Sequence, residues 1–361
     1  MRDKLAVVVA GDALVDLTPA RTADGSAAFR PLPGGSCLNV AAGLGRLGVP
    51  TALLARLSDD HFGDLLRAHL TASGTRLTHV LPTSDPSTLA AVHLRADGSA
   101  AYSFHAGGAA DRGLRPEHLA ALPDGGALPS GTALHLGSLG LLLEPLATTL
   151  DGLLRRESGH RLVSLDPNVR PGLVTDRAAY LRRFAEWVGL ADVVKASDED
   201  LAWLYPGEPY EAVAERWLAA GAGLVLITFG ARGAWAASRA ARVHVPAPAV
   251  EVVDTVGAGD AFTAGVLAHL HDTGRLSREG VDGLGAAALA RLLSSSRGDR
   301  GRYVYAGGGA AAVSLPRGGG LKAGFWVRVG GGWSRPRGGA AQCHSPAPLT
   351  GRLCGQGYGV P

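Results

Sequence analysis

Val253-Asp254-Thr255-Val256-Gly257-Ala258-Gly259-Asp260-Ala261-Phe262 runs directly into Thr263-Ala264-Gly265-Val266-Leu267. A β-type run at 250–253 gives way to a turn of small residues and then to an apolar, periodic segment that reads as a helix. Gly257-Ala258-Gly259 carries almost no side chain, so its N–H groups can lie bare against an oxyanion. A helix beginning there adds unpaired N–H groups and the positive end of its dipole. Asp260 falls in the first helical turn, where a carboxylate can take a proton from an alcohol while the N–H groups hold phosphate oxygens. The local alternative is a glycine-rich helix entry with a capping aspartate. A lone G-x-G-D favours that alternative; the longer string reverses the preference.

The nine residues from Asp254 to Phe262 resemble the C-terminal signature of the ribokinase-like (PfkB) carbohydrate kinases. The resemblance implies an α/β fold, a three-layer sandwich with a mainly parallel central sheet and a small β lid. It makes Asp260 the catalytic base and Gly257, Ala258 and Gly259 the anion hole. It also implies ATP and Mg²⁺, with a K⁺ site near Asp254 and Thr255.

Outward from this stretch the chain alternates strand and helix. Leu5–Ala10 reads as a buried strand ending at Gly11-Asp12, with Asp16 four residues beyond. Strand ends of this kind are where open α/β sheets bind ligands. Pro31-Leu32-Pro33-Gly34-Gly35 reads as a turn, and the Ala/Leu-rich segment to Leu47 as a helix stopped by Gly48. Asn39 is one of two asparagines in the chain, beside the Gly34-Gly35 pair. On those residues alone cap or turn chemistry accounts for it equally well. Gly34-Gly35-x-x-x-Asn39 resembles the family's sugar-binding signature, which places Asp12, Asp16, Gly35 and Asn39 around the sugar. Gly43-x-Gly45-x-x-Gly48 fits a dinucleotide fingerprint, but its glycines lie in and at the end of a helix with the strand following, so that reading fails.

Leu89–Leu94 and Ala100–Phe104 read as a hairpin about Ala96-Asp97-Gly98. In the resembled family such strands form the lid, through which a homodimer could assemble. Asp166-Pro167-Asn168-Val169-Arg170 follows another buried strand; alone it is an ordinary turn. The resemblance puts Asn168 and Arg170 at the sugar or phosphoryl group. Val193–Ser197 leads into Asp198-Glu199-Asp200. The family often has Asn-x-x-Glu here; Ser197-x-x-Asp200 shortens both groups, giving Asp200 a water-mediated Mg²⁺ contact and Lys195 a place near the nucleotide. A serine N-cap with acids in the first turn explains the same residues. Thr228, Gly230 and Gly233 resemble the family's ATP-phosphate turn, with a plain β-hairpin as the competing account. No G-x-x-x-x-G-K-[ST] occurs, which excludes a P-loop kinase.

Composition narrows the class. The 361 residues are 46% hydrophobic and 19% charged, enough for one large α/β domain. No apolar run has the length of a membrane helix, and the first residues lack a signal-peptide pattern. Three cysteines, with only Cys37 in the well-patterned region, form no disulfide framework, so a reducing cytoplasm is expected. The net charge of +3 is a property of the tail: from Leu293 onward there are nine Arg and Lys and one acidic residue, whereas the first 292 residues hold 26 basic and 31 acidic. The tail lacks an organised basic helix or aromatic platform, so neither nucleic acid nor membrane is an expected partner.

Residues 1–292 are therefore expected to form one sugar kinase domain, with lid strands at about 89–104. Residues 293–361 hold 18 glycines and no sustained periodicity, and disorder is the simplest expectation. A reading-frame shift is the sharper one: Arg302–Ala310, back-translated with GC-rich codons and moved one base, gives Thr-Cys-Thr-Arg-Ala-Gly-Ala-Pro, resembling the end of family members. The expected activity is ATP-dependent phosphorylation of a sugar hydroxyl, most like fructokinases. 2-Keto-3-deoxygluconate, ribose or a nucleoside are alternative acceptors, and a sugar-binding relic impaired by its tail is the non-catalytic alternative.

Overall fold

The computed structural model describes residues 4–94, 100–247 and 257–296, together with two short strands at 327–329 and 332–334. In chain order the first strands are β1 (Val7–Ala10), β2 (Leu14–Arg21) and β3 (Ala27–Gly34). Helix α1 (Ser36–Arg46), β4 (Thr51–Ser58) and α2 (His61–Ala72) follow, then β5 (Val80–Thr83), β6 (Leu89–Leu94) and β7 (Ala100–His105). The middle comprises α3 (Pro116–Leu119), β8 (Ala133–Gly137), α4 (Leu146–Glu157), β9 (Val163–Asp166), α5 (Arg177–Leu190) and β10 (Val193–Ser197). Next come α6 (Asp198–Leu204), α7 (Tyr210–Ala220), β11 (Leu224–Thr228), β12 (Ala234–Ser238) and β13 (Arg242–Val245). The body closes with α8 (Ala258–Asp272), α9 (Arg278–Val281) and α10 (Ala286–Ser296).

The large sheet has nine strands in the order β13-β12-β11-β10-β9-β8-β1-β4-β5. Pairing is parallel from β5 through β11 and antiparallel only at β11–β12 and β12–β13. Strand periodicity of two divides β1 between two cores. Val7 and Val9 join the side covered by α1, α2, α8 and α10, while Val8 and Ala10 join the side covered by α4, α5 and α7. That second side is unusually aromatic, with Tyr180, Phe184, Trp187 and Trp217 packed edge to face or stacked. A sheet buried on both faces explains why its strands read as continuous apolar runs.

The lid is a separate four-stranded sheet, β3-β2-β6-β7, twice the pair expected from sequence. Pro31-Leu32-Pro33 is not a turn: it lies in β3, paired in register with Val15, Asp16 and Leu17 of β2. The reason is positional. β3 is an edge strand, where prolines sacrifice no ladder bond that an interior strand would need. The turn begins one residue later, at Gly35, whose φ of 97° suits glycine. The expected hairpin turn at Ala96-Asp97-Gly98 and the β-type run at 250–253 lie outside the described residues.

Gly43 and Gly45 lie inside α1, and β4 comes after it, so the dinucleotide motif is absent from its required setting. A Cβ on Gly45 would press on Thr75 Oγ1 at 2.8 Å, so this glycine serves close packing against the end of α2. α10 continues to Ser296, a little past the change in composition. Beyond it, in a separate unit, Val327–Val329 pairs antiparallel with Gly332–Ser334 as β14 and β15.

Candidate active site

Three chain ends converge at the C-terminal edge of the large sheet, beneath the lid. β1 delivers Asp12, β9 delivers Asp166 to Arg170, and α8 begins at Gly257 with φ 77°. They border an open cleft. Of the residues expected at a site, Asp12, Asp16, Gly35, Asn39, Arg170, Gly257 and Asp260 all line it. The lid contributes Tyr102 and Phe104 from β7 and Leu14 from β2.

Asp260 is buried in the first turn of α8. Ser36 donates its hydroxyl to Oδ1 at 2.6 Å and Asn39 donates Nδ2 to Oδ2 at 2.9 Å. Burial pushes the Asp260 carboxyl above its ordinary range; the Ser36 and Asn39 bonds and the charges of Lys195 and Arg170 act the other way. Asn39 Oδ1 is buried without a protein partner. A buried amide oxygen in a cleft wall is an acceptor awaiting a donor.

Asp12 accepts the N–H of Ser36 at 2.8 Å and of Cys37 at 3.3 Å, so it caps α1 from the end of β1. Burial, and then the neighbouring Asp111, raise its pKa to about 6. Burial and the charge of Asp12 likewise raise Asp16 to about 6, against the pull of Arg170. Asp111 accepts from Ala13 N–H and Thr88 Oγ1, tying the chain after the lid to the start of β2.

Asn168 does not line the cleft. Its φ is 36° and its Oδ1 accepts from Arg170 at 2.6 Å, so it holds the guanidinium in the wall from behind. Lys195 is buried in β10, with Nζ 2.8 Å from Asp166 Oδ2. Asp166 is raised to about 6, chiefly by burial, and its Oδ1 has no protein partner. A methyl group on Gly259 would stand 3.0 Å from Lys195 Nζ, which places that ammonium directly behind the glycine turn.

Asp200 forms a capping box with Ser197, accepting its N–H at 2.8 Å through Oδ2, while Oδ1 accepts Val169 N–H at 2.7 Å. The cap chemistry accounts for this pair and also anchors the Asp-Pro-Asn turn to α6. Among the described residues no three His, Cys, Asp or Glu side chains converge as a metal site. Thr228 ends β11, and Gly230 and Gly233 turn the chain into β12 as a hairpin. Gly233, at φ 105°, is needed for packing, since a Cβ there would collide with Val245 O. Gly230 has open space at its Cβ position. Asp254 and Thr255 lie outside the described residues.

Sequence reasoning missed Ser36, Asp166 as a partner of Lys195, and Ser138. Ser138 lines the cleft with φ 53°, a costly conformation for a non-glycine residue that clusters at functional sites. A residue partner 224 positions away, as Asp260 is for Ser36, leaves no mark on local spacing.

This geometry has matches. The pfkB family carbohydrate kinase model matches residues 4–300. The chain belongs to that family. It is 40% identical over 297 residues to the fructokinase of Rhizobium leguminosarum bv. trifolii, covering 82% of this chain and 89% of that relative. Among solved structures it is similar to a fructokinase with bound ATP from Xylella fastidiosa, with TM-score 0.72 and 28% identity over 84% of this chain and 93% of the other. A fructokinase double mutant from Vibrio cholerae O395, solved with fructose, ADP and potassium ion, gives TM-score 0.69 and 27% identity over 81% and 90%. The chain is thus a sugar kinase of ribokinase-like fold. No helix among the described residues is long and apolar enough to cross a membrane.

Proposed function

We propose that this chain transfers a phosphoryl group from ATP to a hydroxyl of fructose, with Asp260 as general base. One observation carries the reading: a buried carboxylate sits in the first turn of α8, in a cleft wall shared with Gly257, Asn39, Asp16 and Arg170. Asp260 accepts the hydroxyl proton as the oxygen attacks. The N–H groups opening α8, at Gly257, Ala258 and Gly259, hold the charge on the transferring group, supported by Lys195 behind them. Asn39, whose Nδ2 is committed to Asp260, offers Oδ1 to a sugar hydroxyl. Asp12, Asp16 and the Gly35 backbone complete the sugar side.

Charge supports a neutral acceptor. The cleft wall contains three carboxylates, Asp12, Asp16 and Asp260, against one guanidinium, Arg170, which already faces Asp16 and Asp260. A carboxylated sugar such as 2-keto-3-deoxygluconate would add like charge to that surplus.

The residues also fit Mg²⁺, a hard ion that takes oxygen ligands and keeps much of its water. Asp166 Oδ1, buried and unpaired, would face that water shell, with Asp200 adding charge behind it. Bound Mg²⁺ would neutralise phosphate charge during transfer. Thr228, Gly230 and Gly233 are assigned to the ATP side, and Asp254 and Thr255 to a K⁺ site. A cytoplasmic setting fits a reaction that consumes ATP. A homodimer would assemble through the lid, whose edge strand β3 exposes Phe29.

The test is ADP release with Mg-ATP and a panel of fructose, ribose, a nucleoside and 2-keto-3-deoxygluconate. Fructose should give the highest kcat/KM. Preference for the acidic sugar would overturn the charge reasoning, and fructose binding without ADP release would identify a relic.

A further inference from the structure

We propose that Ser36 is a positioning residue for the reaction: its hydroxyl, acting with Asn39, fixes the Asp260 carboxylate and holds it in the proton-accepting form. The inference deepens the proposed function and rests on Asp260 being the base.

Ser36 and Asn39 are three residues apart on the first turn of α1, a spacing that puts both side chains on one helix face. They divide the two oxygens of one carboxylate between them, Ser36 Oγ on Oδ1 and Asn39 Nδ2 on Oδ2. All three side chains are buried. The 2.6 Å separation at Ser36 lies in the range of hydroxyls bonded to an ionised carboxylate. α1 cannot drift away from Asp260, because Asp12 grips the N–H groups of Ser36 and Cys37 from the end of β1. One helix end is therefore clamped between two carboxylates, one gripping its backbone and the other receiving its side chains.

A hydroxyl that donates to a carboxylate favours the charged form, and the effect is strongest where water is excluded. The other charges facing Asp260 are Lys195 from β10 and Arg170 from the turn after β9, which favour its ionised form. Asp16 from β2 and Asp166 from β9 oppose it, and the Cys37 thiol on α1 also feels its charge. All of these persist when only the Ser36 hydroxyl is removed, so the substitution isolates its contribution. Deprotonated Asp260 is the active form, so weakening the carboxylate form must move the acid limb of turnover to higher pH.

The experiment is the pH profile of kcat and KM for fructose in the full chain, as wild type, Ser36→Ala, Ser36→Cys and Ser36→Thr. Alanine is a good helix former and fits the serine space; cysteine gives a second variant with only a weak donor. Both should raise the acid limb of kcat by about one pH unit. Turnover then falls about tenfold below the limb and recovers above it, with KM for fructose little changed. Ser36→Thr, which keeps the hydroxyl, should leave the limb in place. A limb that stays put in Ser36→Ala and Ser36→Cys, or that moves equally in Ser36→Thr, would overturn the role of Ser36 while fructose turnover upheld the kinase reading. A folded wild type that turns over no acceptor would overturn both.

Discussion

Lys195 Nζ lies 2.8 Å from Asp166 Oδ2, both groups buried at the sheet edge behind the Gly257-Ala258-Gly259 turn. A cation there has two consequences. It offsets a carboxylate that would otherwise be left charged in the interior, and it adds positive potential to the N-terminus of α8.

Removing that cation should therefore damage both stability and turnover. Lys195→Met leaves Asp166 buried without its ion pair, which costs about 3–5 kcal/mol when one partner is removed from such a pair. Pairing it with Asp166→Asn should recover much of the stability without the activity. Denaturant midpoints and kcat for the single and double variants check this; equal stability of Lys195→Met and the double variant would show that the pair is not coupled.

Asp260→Asn should lower kcat by about 10²–10⁴. Asn is close in shape, so KM for fructose should change little. A loss under tenfold with normal sugar binding would mean that another group accepts the proton.

The α8 turn, the Asp-Pro-Asn turn and the strand–helix alternation were legible because each is written in adjacent residues. Glycine and proline punctuate the turns, and a sheet buried on both faces gives unbroken apolar strands. The lid was half legible. β6 and β7 read as strands about a turn, but β3 contains Pro31 and Pro33, whose ordinary meaning is a turn, and only its place at a sheet edge permits them. Lys195 read as a residue near the nucleotide, but sequence cannot show that its ammonium pairs with Asp166, 29 residues earlier. Asp12 read as a sugar ligand, and it does line the cleft, but nothing local reveals that it also caps α1. Ser36 was invisible for the same reason: its function lies in a contact across most of the chain.

Gly35 sets the approach of α1 to Asp12. Its φ is 97°, and a Cβ there would meet Asp12 O at 2.9 Å, a backbone atom that cannot step aside. Gly35→Ala should cost about 2–3 kcal/mol and reduce turnover further by displacing Ser36 and Asn39 from Asp260. Thermal melting with kcat at a temperature where both proteins are folded separates the effects. Full activity in a destabilised protein would show that the clamp tolerates the shift.

Asp16 should make stability fall with rising pH. Its folded pKa of about 6 lies above the ordinary carboxylate value of 3.8, chiefly through burial and then the charge of Asp12. The folded state therefore binds more protons than the unfolded state between about pH 4 and 6, and stability drops across that window as pH rises. Asp16→Asn removes the penalty, so the variant should gain on the wild type as pH increases, by on the order of 1–2 kcal/mol at pH 8. Melting temperatures at pH 5 and pH 8, without ligand, test the sign. A wild-type advantage at pH 8 would mean that Arg170 outweighs burial.

The tail yields a last expectation. The family model ends at residue 300, and the residues beyond carry the change of composition. We propose that the sequence from about Arg302 follows a shifted frame, and that a C-terminal segment like the end of family members, serving the ATP side, is replaced by Gly- and Arg-rich chain. The cost should then fall on the nucleotide and not on the sugar, because Asp12, Asp16, Asn39 and Arg170 all belong to the body. A chain rebuilt with the alternative frame should show KM for ATP lower by about tenfold, the worth of about 1.4 kcal/mol of recovered contact, with KM for fructose essentially unchanged. Equal KM for ATP in the two chains would mean that the body alone holds the nucleotide, and that the tail is irrelevant to its binding.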